Sequence, residues 1–251
     1  MMKINIKQIG AGFISIFIGL LIWQFIAFLW KENILPAPID VFTELINLFK
    51  EQGFINDLFS SFYRVVIGFS IATILGVFFG IMVGLSNSLN NFFRPIIELL
   101  RPIPPIAYIP IAILWFGLGD IPAFFLVFIA AFFPIFSNTS SGVKSIDEKY
   151  KKAAITLGAN NKDIILEIIL PHALPGIFTG LKTGLGMAWM AVIAAEMMGA
   201  QSGLGYFIQM NRIVLDLTRV LAGMLMIGLI GALLHLIICN LERQVITWKK
   251  T

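Results

Sequence analysis

Long runs free of charged side chains alternate with short polar connections along the 251-residue chain. Residues 9–30, 65–87, 102–119, 121–143 and 220–241 contain no Asp, Glu, Lys or Arg. Each run approaches or exceeds the ~18–20 residues that a helix needs to cross a bilayer core. A sixth run, 175–200, is interrupted only by Lys182 near its start and Glu196 near its end. The pattern predicts an all-α membrane protein of about six transmembrane helices, a single transmembrane domain over 1–251. A polar loop at about 145–171 is expected to hold two short cytoplasmic helices.

Smaller periodicities refine this picture. After the first run, Pro36 and Pro38 break the helix, and Val41, Leu45 and Leu48 recur at helical spacing beside Asp40, Glu44 and Lys50. That arrangement predicts an interfacial helix on the outer face. Gly68, Ala72, Gly76, Gly80 and Gly84 form a small-residue stripe in the second span, and Gly176, Gly180 and Gly184 form another in the fifth. Such stripes let helix backbones approach closely, so plain helix packing is the reading adopted. The segment RPIPPIAYIPIAILWFGLGD, residues 101–120, carries Pro102, Pro104, Pro105 and Pro110. Each proline removes a backbone donor, so a kinked or partly unwound start is expected. Either the broken backbone lines a pathway, or a cytoplasmic loop leads into a shorter helix.

Composition agrees with lipid as the solvent. The chain is 58% hydrophobic and 13% charged, against roughly 45–50% and about 25% in soluble domains. With both termini inside, thirteen Lys and Arg fall in cytoplasmic segments and five (Lys31, Lys50, Arg64, Arg212 and Arg219) fall outside. This bias supports an even number of spans with both termini cytoplasmic. The net charge of +4 then reflects topology and calls for no nucleic-acid partner. Cys239 is the only cysteine, which excludes an intrachain disulfide or a CxxC pair. The first apolar run is longer than the core of a signal peptide and is read as a retained helix.

The loop EKYKKAAITLGANNKDIILEIILP, residues 148–171, is the most informative stretch. Ser145-Ile146-Asp147-Glu148 has the S-x-x-E form of a capping box, predicting a helix start that runs on through Ala153 and Ala154. Gly158 permits a sharp bend, and a second helix is expected from Asn160 or Asn161 to Leu170, with Pro171 ending it or forcing a turn. Ala153, Ala154 and Gly158 would offer small side chains to a partner's groove. A loop resting on anionic lipid headgroups is the competing reading.

Ala153-Ala154, Gly158, Ile168 and Leu170-Pro171 stand at the spacing A-A-x-x-x-G-x9-I-x-L-P. This spacing resembles the loop by which permease subunits of ABC importers engage their ATPases. The 101–120 segment, Arg64 in SFYRVVIGFS, and AAEMMGAQSGLGYFI at 194–208 are similar to the nitrate/sulfonate/taurine subgroup. The resemblance covers roughly residues 35–245. It implies a type I importer-like complex of two copies of this chain, two ATPase subunits that bind ATP and Mg, and a periplasmic or lipid-anchored solute-binding protein. The membrane it implies is the bacterial cytoplasmic (inner) one. The expected cargo is a small anion such as an alkanesulfonate, taurine or nitrate, with a pyrimidine vitamin precursor as the alternative. Lys152, Ala153, Ala154, Gly158, Ile168, Leu170 and Pro171 would then couple to the ATPase. Lys152 departs from the family pattern, which has an acidic residue there. The chain contains no G-x-x-x-x-G-K-[ST] phosphate loop, so energy must come from another subunit.

Glu196 is the only carboxylate well inside a predicted span, which makes it a functional candidate. Arg64 lies towards the same leaflet, and an Arg64–Glu196 pair is expected, either bracing an outer gate or fixing helix register. Exchanging the two charges should then restore assembly. Pro105, Tyr108, Met187, Trp189 and Met190 are candidates for lining the pathway, with ordinary core packing as the competing reading. His172 is read as satisfied by backbone carbonyls at the membrane edge, and His235 as a helix-packing donor. No residues stand at metal-ligand or nucleophile–base spacing, so neither a metal site nor a catalytic residue is expected. An autonomous secondary transporter or channel is the opposing class, but it should show inverted repeats or intramembrane ion-coupling residues.

Overall fold

Apolar helices account for nearly all of the structure, a computed structural model that describes residues 6–29 and 35–248. The expected residues Lys3, Trp30, Lys31, Lys249 and Lys250 lie outside the described residues. In chain order the helices are α1 (Ile6–Leu29), α2 (Pro38–Leu48), α3 (Gln52–Leu85) and α4 (Asn87–Leu100). A 3-10 turn at Pro105–Tyr108 leads to α5 (Ile109–Phe116), α6 (Asp120–Lys144) and α7 (Glu148–Thr156). The continuous helix α8 (Asn161–Gly199), α9 (Leu204–Ile213) and α10 (Leu217–Val245) complete the chain.

The centre of the bundle is α6, clasped between α3 and α8 by the two small-residue stripes. A methyl group added at Gly68, Gly80 or Gly84 of α3 would meet Val127, Thr139 or Val143 of α6 at 2.6–2.7 Å. On the other side of α6, one added at Gly176 would meet Asn138 O at 2.9 Å, and one at Gly180 would meet Ile135 Cα at 3.0 Å. Backbones this close gain van der Waals packing that larger side chains would prevent. Trp189 of α8 donates from Nε1 to Ile227 O of α10 at 3.0 Å, joining that helix to the core. The outward faces keep large apolar groups exposed, among them Phe17, Phe25, Ile74, Phe78 and Leu233, as hydrocarbon surroundings require.

Four helices, α3, α6, α8 and α10, are long and apolar enough to cross a bilayer, and the bent pair of α4 with the segment Pro105–Phe116 would make a fifth. The remaining expected span, the run 9–30, falls on α1, whose described apolar stretch, Ile14–Leu29, is shorter. The run 102–119 is no straight span: its helical part, Pro105–Phe116, stands at 86° to the preceding α4. Pro104 holds extended backbone before the turn, and α5 ends at Gly117 and Gly119, both at positive φ. The helix containing the second run begins at Gln52, well before residue 65. Its first turns carry Asp57 and Arg64, charges that helical geometry accommodates because protein groups surround them.

Helix α2 forms as predicted, but its Val41, Leu45 and Leu48 are buried in the protein core. Ile39, Phe42 and Ile46 are the exposed apolar positions of that helix. At the far end of the bundle Val143, Ile146, Ala154, Ile164, Ile169, Ala173 and Ile177 form a separate apolar cluster under the polar loop.

Candidate functional site

Two regions at opposite ends of α8 bring together the residues of interest. The first is a buried charge cluster where α8 ends and α9 begins. Glu196 is 1% exposed and Arg64 3% exposed. Arg64 donates from Nη1 to Glu196 Oε1 and to Ser202 O, both at 2.7 Å, and from Nη2 to Ser202 Oγ at 2.9 Å. Its Nε donates to Asp120 Oδ1 at 2.8 Å. The guanidinium fork thus ties α3 to the start of α6, the end of α8 and the loop before α9.

Glu196 is held from its other side by a helix start. Ser61 Oγ donates to Glu196 Oε2 at 2.8 Å and accepts from Leu204 N–H at 2.8 Å. Gly205 N–H donates to Glu196 Oε2 at 2.9 Å, and Gly203 N–H donates to Asp57 Oδ1 at 2.7 Å. First-turn N–H groups have no partner inside their own helix, so the carboxylates complete α9 while its dipole favours their charge. Gly203 sits at φ +113°, and a methyl group there would overlap the Glu196 carboxylate. A cavity of about 290 Å³ adjoins the cluster, lined by Arg64, Leu118, Gly119, Asp120, Gln201 and Ser202.

The second region is the polar loop. Its first helix is capped by Asp147, whose side chain accepts from Lys149 N–H at 2.9 Å. The expected Ser145–Glu148 capping box does not form, because Ser145 still belongs to the end of α6 and donates to Gly142 O at 2.8 Å. A capping box exists instead at the start of α8, between Asn160 and Asp163. Gly158, at φ +86°, closes α7: its N–H donates to Ile155 O, and Ala159 N–H donates to Ala154 O, both at 3.0 Å. This paired geometry needs a left-handed residue, which glycine adopts without a Cβ clash.

Pro171 neither ends a helix nor forces a turn. A π-turn at Ile164–Ile169 widens the helix just before it, and Leu170 N–H bonds back to Ile165 O. The wider register absorbs the missing proline donor, so the loop helix and the membrane helix are one element. Ala154 turns inward at 9% exposure and packs with Ile146, Ile164 and Ile169. It is therefore not offered to a partner as the sequence pattern predicted. Lys152, Ala153 and Gly158 are exposed, while Ile168, Leu170 and Pro171 are half-buried at the base of the loop. Tyr150, Ile155 and Leu157 are exposed by 62, 60 and 87%, an apolar surface that sequence reasoning missed.

Of the candidates for a pathway lining, Trp189 is in the core at 6% exposure, where Gly231 of α10 leaves room for the indole. Met190 is exposed, and Pro105, Tyr108 and Met187 are half-buried. His172 is exposed and approaches Ser145 Oγ at 3.5 Å instead of a carbonyl. His235 is exposed and lies beside Cys239 Sγ of its own helix at 3.4 Å. Among the described residues no three His, Cys, Asp or Glu side chains are grouped to hold a metal ion. Sequence reasoning also missed Ser61, Asp57, Asp120 and Ser202 in the charge cluster. It missed two ion pairs as well: Lys182–Glu242 at 2.8 Å and Arg219–Glu51 at 2.6 Å. A lone charge flanked by apolar residues is a visible signal, whereas serines and aspartates near helix ends are not.

The fold is that of a helical, multi-pass membrane protein with one polar loop seated on an apolar cluster of its own. The chain belongs to the family of binding-protein-dependent transport system inner membrane components, which it matches over residues 54–247. It is thus a multi-pass membrane permease of an ABC importer, a non-catalytic subunit whose class works with an ATPase and a solute-binding protein. It is 35% identical to the taurine transport system permease protein TauC of Escherichia coli K12, over 96% of this chain and 90% of that one. It is also 35% identical to the bicarbonate transport system permease protein CmpB of Synechococcus elongatus, over 90% and 86%. Its fold matches a chain of the MetNI methionine ABC transporter in an inward-facing form with a TM-score of 0.67 and 18% identity, covering 76% of this chain and 95% of that one. This membership sets aside the autonomous channel or secondary transporter.

Proposed function

We propose that two copies of this chain form the passage of an importer for a small anion of the alkanesulfonate, taurine, nitrate or bicarbonate kind. Two ATPase subunits that bind ATP and Mg drive it, and a separate binding protein delivers the cargo. The observation that carries the anion reading is the kinship, at 35% identity over nearly the whole chain, to permeases for taurine and for bicarbonate. The coupling surface is the exposed face of α7 with its turn: Lys152, Ala153 and Gly158 together with Tyr150, Ile155 and Leu157. Ile168, Leu170 and Pro171 seat this surface on the bundle, and Ala154 anchors it from inside.

The uninterrupted course of α8 supports a lever mechanism. Its 39 residues run about 58 Å at 1.5 Å per residue, from the docking turn to the Arg64–Glu196 cluster. A push at the loop therefore reaches the far gate through one element, as a rigid-body transition requires. The Arg64–Glu196 pair braces that gate by joining α3 to α8. The loop, Lys144 and the Lys182–Glu242 pair gather at one end of the bundle, while Arg64 and Arg219 gather at the other. This segregation supports cytoplasmic termini by the positive-inside rule.

ATPase activity of the reconstituted complex, measured with a panel of sulfonates, nitrate, bicarbonate and pyrimidines, tests both parts. Anions delivered by the binding protein should stimulate hydrolysis, and Gly158→Trp in the docking turn should abolish the stimulation. Stimulation by pyrimidines alone would refute the anion assignment, and stimulation that survives Gly158→Trp would refute coupling through this turn.

A further inference from the structure

The chain bends sharply after α4, and polar positions of α4 and of α6 border one cavity. Asn90, Arg94 and Glu98 recur at positions that share one face of α4, with Arg101 just past its end, and Ser137, Ser140, Ser141 and Lys144 share one face of α6. All eight line one cavity of about 210 Å³, below the ~300 Å³ at which drug-sized pockets begin. Three cations and one carboxylate leave this cavity two positive charges in excess. Glu98 is already committed, accepting from Arg94 Nε at 2.7 Å, and Lys144 leans on Asn90 Oδ1. A guanidinium carries five N–H donors, so most of those on Arg94 remain for another acceptor. Ser140, a residue of the membrane-spanning α6, is 6% exposed and lines the same cavity. Sequence alone gives no sign of this cluster, because Arg94 and Arg101 lie more than thirty-five positions from Lys144.

We propose that this α4–α6 cavity is a binding site for a small oxyanion, bound through a sulfonate, phosphate or carboxylate group. The excess positive charge concentrates a counter-ion there, and the serine hydroxyls and the asparagine amide of the same lining are neutral donors beside it. The site lies at the same end of α6 as the docking loop. On the importer reading, on which its role rests, it is the last station an anion meets before release to the cytoplasm. The same chemistry would hold the phosphate of an anionic lipid headgroup at the inner leaflet.

Equilibrium binding of radiolabelled sulfate to the permease–ATPase complex, in nanodiscs of phosphatidylcholine alone, tests the site. Saturable binding is expected. Arg101→Gln and Arg94→Gln should each weaken it about tenfold, the worth of a charge-assisted hydrogen bond, and Ser140→Ala should weaken it less. Arg243→Gln, a cation at the same end but outside the cavity, should leave it unchanged. Added phosphatidylglycerol that competes with sulfate would assign the site to lipid phosphate, and absence of competition would assign it to the free anion. No saturable binding, or binding indifferent to both arginine variants while the ATPase still co-purifies, would overturn the proposal. Uptake of anions by proteoliposomes is scored separately, so a failed site with intact uptake leaves the importer reading standing, and the reverse result separates them equally.

Discussion

At the scale of single residues, Glu196 shows how much protein is needed to keep one carboxylate in a membrane helix. Arg64 Nη1, Ser61 Oγ and Gly205 N–H all donate to it. Removing one partner from a buried pair leaves an uncompensated charge, at a cost of about 3–5 kcal/mol. Glu196→Ala should therefore lower the thermal unfolding midpoint of the purified complex markedly, and Arg64→Ala should do the same. Exchanging the two charges, which the sequence alone offered as a test of pairing, should fail to rescue either variant. An arginine at 196 would face the N–H groups that open α9, and a glutamate at 64 would face Asp120. The same unfolding measurement checks this, and full recovery in the exchanged variant would contradict the geometry. The pair was legible because each partner is a lone charge bordered by apolar residues. Asp120, Ser61 and Ser202 were not, since they become charge partners only when three distant segments meet.

At the scale of elements, the two small-residue stripes were fully legible, because a four-residue repeat of glycine and alanine can lie along only one face of a helix. A Cβ at Gly80 would stand 2.7 Å from Thr139 Cβ, whereas one at Gly228 meets nothing within 4 Å. Gly80→Ala should destabilise the bundle by about 1–3 kcal/mol through overpacking. Gly228→Ala, which removes a helix-interior glycine, should be neutral or stabilising by about 0.5–1 kcal/mol. Melting curves of the two variants side by side check the contrast. The helix of 161–199 was harder to read, since a proline within a helical pattern ordinarily marks an end. Here the π-turn over Ile164–Ile169 takes up the lost donor, and no residue type in IILEII signals that register change. Ala154 was misplaced for a related reason: the loop's small residues share a motif but divide between an inward and an outward face.

At the scale of the whole molecule, a central α6 held by α3 and α8 forms a frame with the exposed loop face proposed for docking at one end and a buried ion cluster at the other. Helix α8 runs from that loop to the cluster, so the proposed push at the loop has a continuous path. The fold class followed from apolar runs and their charged boundaries. The broken passage between α3 and α6 did not, because its prolines announce a break without fixing the 86° angle between α4 and the segment that follows it. The most direct measurement is ATP-driven uptake of radiolabelled taurine into proteoliposomes holding the complete complex, compared with one carrying Tyr150→Ala and Leu157→Ala on the docking face. The account predicts accumulation that requires ATP and the binding protein and that falls by tenfold or more in the double variant, as loss of apolar interface anchors implies. Undiminished uptake by the double variant would contradict coupling through this face, and absence of uptake for taurine and every other small anion would contradict the proposed cargo.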